Sequence, residues 1–143
     1  MDYKKTYEDR NKINNKAEDK FEAWCKDQEI EYWHFGFNEK KNRLPKFYTL
    51  HSLIRNLPDY IIYSGEKLSY IEIKGTNKVK LKDIAGYRQF GDLFCSDDNE
   101  LYIGFMVEEG FMFLTLDEIE AKVVGSVVRE YGNDKNKFIE VNL

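Results

Sequence analysis

Cysteine is scarce in this chain: Cys25 and Cys95 are the only two, and they form no CxxC pair. A zinc site of the common Cys/His spacing is thereby excluded. Cys25 sits in an apolar-periodic segment and is expected in the core. Proline is equally rare, with Pro45 and Pro58 alone. No Pro/Gly/Ser-rich linker, internal repeat or low-complexity tract divides residues 1–143, so one domain is expected. No stretch approaches the ~20 apolar residues of a membrane-spanning helix. The charged first 20 residues show no signal peptide, which makes a cytoplasmic location the default expectation. Positive charge in excess is also missing. The 22 basic side chains face 26 acidic ones, a net charge of −4. Such a balance argues against passive nucleic-acid binding through bulk charge. It leaves room for an enzyme with a local basic strip and an acidic metal site.

Hydrophobic residues make up 42% and aromatics 15%, enough to bury a core at this length. Ile13, Ala17, Phe21, Trp24, Cys25 and Gln28 recur at helical spacing and predict a first helix over about 6–28, with Thr6 and Asp9 as its start signal. The aromatic run Ile30 to Phe37 reads as a strand. In the segment 38–57, Pro45 either opens a short helix carrying Phe47, Leu50, Leu53 and Ile54 or belongs to an ordered loop. Two strands, 59–63 and 68–74, flank Ser64-Gly65-Glu66-Lys67, where glycine before a polar residue signals a hairpin. Leu81 to Phe94 predicts a second helix. Leu101 to Val107 predicts a strand, and Phe111 to Leu114 a further, inner one. Thr115 with Glu118 forms a capping box opening a third helix, in whose first turn Asp117 and Glu118 suit the dipole. Phe138 to Val141 closes the chain as a strand. The order helix, strand, strand, strand, helix, strand, with C-terminal additions, predicts an α/β sandwich around a mixed sheet.

The chemistry lies in Asp59, Glu72 and Lys74. Strand side chains alternate, so Glu72 and Lys74 share one face and Ile71 and Ile73 the other. A two-residue turn at Gly65-Glu66 pairs Ser64 with Lys67, Tyr63 with Leu68, Ile61 with Tyr70 and Asp59 with Glu72. Directly opposite residues share a face, so two carboxylates stand side by side with a lysine one step along. A purely structural sheet disfavours that pairing. Either one carboxylate takes a proton, or a hard divalent cation sits between them. Such an ion polarises a phosphoryl oxygen and lowers the pKa of a bound water, while the lysine orients that water or stabilises charge on phosphate.

Pro58-Asp59, then twelve residues, then Glu72-Ile73-Lys74, resembles the PD-(D/E)XK nuclease superfamily, which includes many restriction endonucleases, archaeal Holliday junction resolvases and phage exonucleases. The resemblance covers about residues 16–107. It implies a restriction-endonuclease-like core, a central mixed β-sheet flanked by helices. It implies that Asp59 and Glu72 bind Mg²⁺ or Mn²⁺ with the backbone carbonyl of Ile73, and that Lys74 is the catalytic lysine. A first-helix glutamate facing the site is a further family feature. Glu18 suits it, three residues before Phe21 and seven before Cys25, with Glu22 as competitor. A Gln or Lys on the second helix is another, and Gln89 fits that place. Lys78, Lys80, Lys82 and Arg88 follow the active-site strand and are candidates for phosphate contact. DNA is implied as substrate ahead of RNA, with a structure-selective or processing role, and a homodimer is expected because small nucleases of this type often pair. The alternative is a nuclease fold that has lost turnover and serves as a nucleic-acid or protein-binding module. His34, His51, Tyr48, Tyr87 and Phe90 are expected to serve packing or local structure first.

Overall fold

The computed structural model describes residues 3–37, 49–123, 129–130 and 137–143. Helix α1 (Tyr3–Asp27) begins slightly ahead of the expected start. Ala17, Phe21 and Cys25 recur every fourth residue on it and are all fully buried, one apolar stripe facing the core. At its C-terminus the Ile30 N–H donates to the Cys25 carbonyl at 2.8 Å and the Glu29 N–H to that of Lys26 at 3.2 Å. This is a Schellman closure, with Glu29 at φ 56° in the place where glycine is usual.

The chain continues as β1 (Glu31–His34), α2 (Ser52–Arg55), β2 (Tyr60–Ser64), β3 (Lys67–Lys74), β4 (Lys78–Lys80), α3 (Leu81–Phe94), β5 (Asn99–Val107), β6 (Gly110–Leu114), α4 (Leu116–Ala121), β7 (Arg129–Glu130) and β8 (Lys137–Glu140). The main sheet runs β1-β2-β3-β5-β6. It is antiparallel except for β3 and β5, which are parallel. A parallel pair needs a long crossover, and β4 with α3 supplies it. Helix–strand–strand–strand–helix–strand is thus the order found, around a central mixed sheet.

Alternation along the strands gives the sheet two unlike faces. Tyr60, Ile62, Ile71 and Ile73 pack with Ala17, Phe21 and Cys25 of α1. Leu101, Ile103, Phe105 and Leu114 pack on the other side with Tyr87 and Phe90 of α3 and Ile119 of α4. The hairpin register is the expected one, Ser64↔Lys67, Tyr63↔Leu68 and Ile61↔Tyr70. Gly65, at φ 66°, provides the positive φ the tight turn requires. Thr115 and Glu118 form the capping box, with reciprocal bonds of 3.2 and 3.1 Å.

Several expectations are corrected. Phe111–Leu114 is not an inner strand: β6 is an edge of the sheet. Its side chains are apolar on both faces because Phe111 and Phe113 meet the α1 side while Met112 and Leu114 meet the other. Residues 78–80, which the sequence pattern assigns to no element, form a strand. Lysines flank Val79, which is buried at 1% exposure, and β4 joins β8 and β7 in a separate three-stranded sheet. In the segment 38–57 Ser52–Arg55 is α-helical; Pro45, Phe47 and Tyr48 lie outside the described residues. His51 serves local structure there, its Nδ1 accepting the Leu53 N–H at 3.1 Å.

The left-handed backbone at Glu29 carries a cost that glycine does not incur. Glu29→Gly is expected to raise folding stability by about 1 kcal/mol, read from the midpoint of denaturant unfolding.

Candidate active site

Asp59 stands one residue ahead of β2 and is held from two sides. The Phe35 N–H donates to its carbonyl at 2.9 Å, and the Ile73 N–H donates to its Oδ2 at 2.8 Å. Gly36 makes this junction possible. A Cβ there would lie 2.7 Å from the Leu57 carbonyl oxygen and 2.8 Å from that of Pro58, so a side chain would push β1 away from the Pro58-Asp59 step. The last ladder pair is Tyr60↔Ile71. Asp59 continues it opposite Glu72, and each carboxyl acts on the protonation of the other.

Lys74 lies on the same face of β3. Its Nζ is 3.8 Å from Glu72 Oε2 and 3.6 Å from Asp83 Oδ2 on α3. The Tyr87 hydroxyl, also on α3, donates to Glu72 Oε2 at 2.6 Å, and the Lys74 ammonium lies 5.6 Å from the Tyr87 ring centroid. The Glu72 and Lys74 side chains are only 14% and 17% exposed.

Burial governs the protonation of this cluster. It is the largest cause lifting Asp59 from 3.8 to about 7, with the charge of Glu18 adding to it and the Glu72, Ile73 and Lys74 contacts opposing it. Burial, then the charge of Asp59, pushes Glu72 well above the ordinary carboxylate range. Burial pulls the Lys74 ammonium down, but Glu72, Asp83 and Asp59 outweigh it and hold Lys74 above the usual lysine value.

These residues fit a divalent cation. Oε1 of Glu72 is buried with no hydrogen-bond partner among the described residues, and an ionised buried carboxylate in that condition is costly. A proton shared with Asp59 relieves it, and so would a cation between the two. Among the described residues no three His, Cys, Asp or Glu side chains are grouped to hold a metal. The protein therefore offers two carboxylates rather than a full cage, the kind of site at which Mg²⁺ keeps several of its waters.

The two candidate helix glutamates have different surroundings. Glu18 is 7% exposed and close enough to raise both Asp59 and Tyr60. Glu22 is engaged elsewhere: it accepts from the Tyr60 hydroxyl at 2.8 Å and the Tyr32 hydroxyl at 3.2 Å, with His34 Nε2 at 3.6 Å. Gln89 is placed apart from this cluster. It is exposed, and at 100° per residue it falls on a different face of α3 from Asp83 and Tyr87. Asp83 and Tyr87 occupy the place proposed for it. The signal for them is their spacing of four, which puts an acidic and a phenolic side chain on one helix face; Tyr87, expected to pack, also takes part in the cluster. Arg88 is also placed elsewhere. It pairs with Glu120 and lies 4.0 Å from Asp117, both on α4, and lines a groove there with Cys95 and Thr115. Lys78 and Lys82 are exposed and Lys80 half-buried, with the Lys78 ammonium 5.5 Å from the Phe138 ring centroid.

A carboxyl with a folded pKa above its unfolded value binds more protons when folded, so it stabilises the fold at low pH and loses that contribution as pH rises. Without divalent metal, the contribution of Asp59 is expected to decline between pH 3.8 and about 7. Melting temperatures across that window should fall with pH more steeply for the wild type than for Asp59→Asn.

No family model matches the chain, and no curated protein matches it. Among solved structures it is similar to Archaeoglobus fulgidus Hjc, a Holliday junction resolvase from an archaeal hyperthermophile, at 13% identity and a TM-score of 0.49, over 88% of this chain and 87% of that one. A likeness of that size carries no functional argument; the weight rests on the site itself. In element order, hairpin register and the Asp59, Glu72 and Lys74 cluster, the chain resembles the PD-(D/E)XK nucleases.

Proposed function

We propose that this protein is a metal-dependent nuclease that hydrolyses phosphodiester bonds, in DNA rather than RNA, with a structure-selective or processing role. One observation carries the reading: Asp59 and Glu72 are half-buried carboxyls set opposite each other with the Lys74 ammonium beside them. The preference for DNA follows the resemblance, as does the pairing of two copies.

Asp59, Glu72 and the Ile73 carbonyl would hold Mg²⁺ or Mn²⁺, with Glu18 adding its negative charge from α1. A strand residue sends its N–H and C=O toward the same neighbour. The Ile73 N–H meets Asp59, so its carbonyl faces the same edge, beyond the end of β2. Bound there, the ion would polarise a phosphoryl oxygen and make a hydroxide available near neutral pH. Lys74 would orient the attacking water and offset the negative charge building on phosphate. Lys78, Lys80 and Lys82, on β4 and the start of α3, would hold flanking phosphates and set the register of the strand. Arg88, committed to α4, has no part in this, and neither has Gln89.

Labelled single-stranded, duplex and branched DNA, and RNA, incubated with the protein in Mg²⁺ or Mn²⁺, provide the test. Cleavage is expected with metal and not with EDTA, and Lys74→Ala is expected to lose about 100-fold or more in rate. Metal at about 100 times its dissociation constant should add about 2.7 kcal/mol of stability to the wild type. A folded protein that cuts none of these substrates and ignores both ions would replace this reading with the binding module.

A further inference from the structure

Helix α3 meets the catalytic strand with matched spacing. Asp83 and Tyr87 are four residues apart, about 6 Å along a helix axis. Glu72 and Lys74 are two apart, about 6.6 Å along a strand. One helix side chain therefore falls opposite each strand side chain. Tyr87 meets Glu72, its hydroxyl donating to Oε2 at 2.6 Å. Asp83 meets Lys74, with Oδ2 3.6 Å from Nζ.

The consequence for Glu72 is an asymmetry between its two oxygens. Oε2 carries the Tyr87 hydroxyl and lies 3.8 Å from the Lys74 ammonium. Oε1 is buried with no hydrogen-bond partner among the described residues. Lys74 in turn is flanked by carboxylates on two sides, Glu72 on its own strand and Asp83 on the helix, and packs over the Tyr87 ring at 5.6 Å. We infer that Tyr87 and Asp83 are positioning residues of the active site. Tyr87 engages one oxygen of Glu72 so that Oε1 is the one presented to the cation. Asp83 draws the Lys74 ammonium toward α3, keeping it beside the carboxylate pair instead of bridging it. This rests on the nuclease reading, and it gives α3 a part in the chemistry beyond packing the core.

The test compares wild type, Tyr87→Phe, Asp83→Asn and Asp83→Glu on the best-cleaved substrate, with Mn²⁺ titrations followed by melting temperature. Tyr87→Phe keeps the buried ring, so its metal-free melting temperature should stay close to that of the wild type. It should need at least tenfold more Mn²⁺ for half of the thermal shift, and its kcat should fall tenfold or more. Asp83→Asn should lower kcat tenfold or more with KM and the Mn²⁺ midpoint near wild type, and Asp83→Glu should recover most of that loss. A purely structural role would move the metal-free melting temperature and leave kcat and the Mn²⁺ midpoint alone. Wild-type values of both in Tyr87→Phe and Asp83→Asn, beside an active wild type, would overturn the inference. If Tyr87→Phe fails to fold, the Asp83 pair of variants decides it. A wild type that neither cleaves nor responds to Mn²⁺ removes the nuclease reading first, and this inference with it.

Discussion

A two-stranded ladder holds directly opposite residues about 4.5–5.5 Å apart, and at the open end of the β2–β3 hairpin that spacing falls on Asp59 and Glu72. Two carboxyls so close and so little hydrated resist ionising together. Most of what surrounds them answers that difficulty. The Ile73 N–H and the Tyr87 hydroxyl each donate to one of the pair, and the Lys74 ammonium lies alongside. Glu18 works in the opposite direction by adding negative charge. A sheet selected only for stability would have no reason to bring the charge of a third carboxylate to bear on this point. The concentration of acid is intelligible if a cation belongs there.

The position of the cluster follows from how the sheet divides its faces. β3 is central, so both of its faces are covered. Ile71 and Ile73 go to the aromatic and aliphatic cluster beneath α1. Glu72 and Lys74 go to the side of α3, where Asp83 and Tyr87 receive them. Asp59 lies just past the end of β2, where the ladder stops and a side chain from α1 also comes near. That is how Glu18, carried by the helix on one face, acts electrostatically on a cluster that looks toward the other. Glu22, one turn further along α1, meets the hydroxyls of Tyr32 and Tyr60 instead, and so ties α1 to β1 and β2.

Local pattern carried far into this fold. The α1 stripe, the hairpin, the limits of α3 and the Thr115 capping box each depend on residues close together in sequence, and each was legible. The register was legible for the same reason: Gly65 limits the turn to two residues, and the ladder then counts itself back to Asp59 and Glu72. Other features depended on distant partners. Lys78 to Lys80 looks like a charged loop until β8 pairs with it and Val79 is turned into the core. β6 looks like an inner strand because it is apolar on both faces, although its position in the sheet is an edge.

The residues of α3 mark the boundary most clearly. By itself the sequence determined that Asp59, Glu72 and Lys74 share one face, because alternation and turn length are properties of a few consecutive residues. Which face of α3 meets that cluster is a matter of how the helix is rotated on the sheet. That rotation is set by burying Tyr87 and Phe90 against Leu101, Ile103 and Phe105, contacts between segments distant along the chain. Tertiary packing therefore decided that Asp83 and Tyr87 reach Lys74 and Glu72, that Gln89 faces solvent, and that Arg88 pairs with α4.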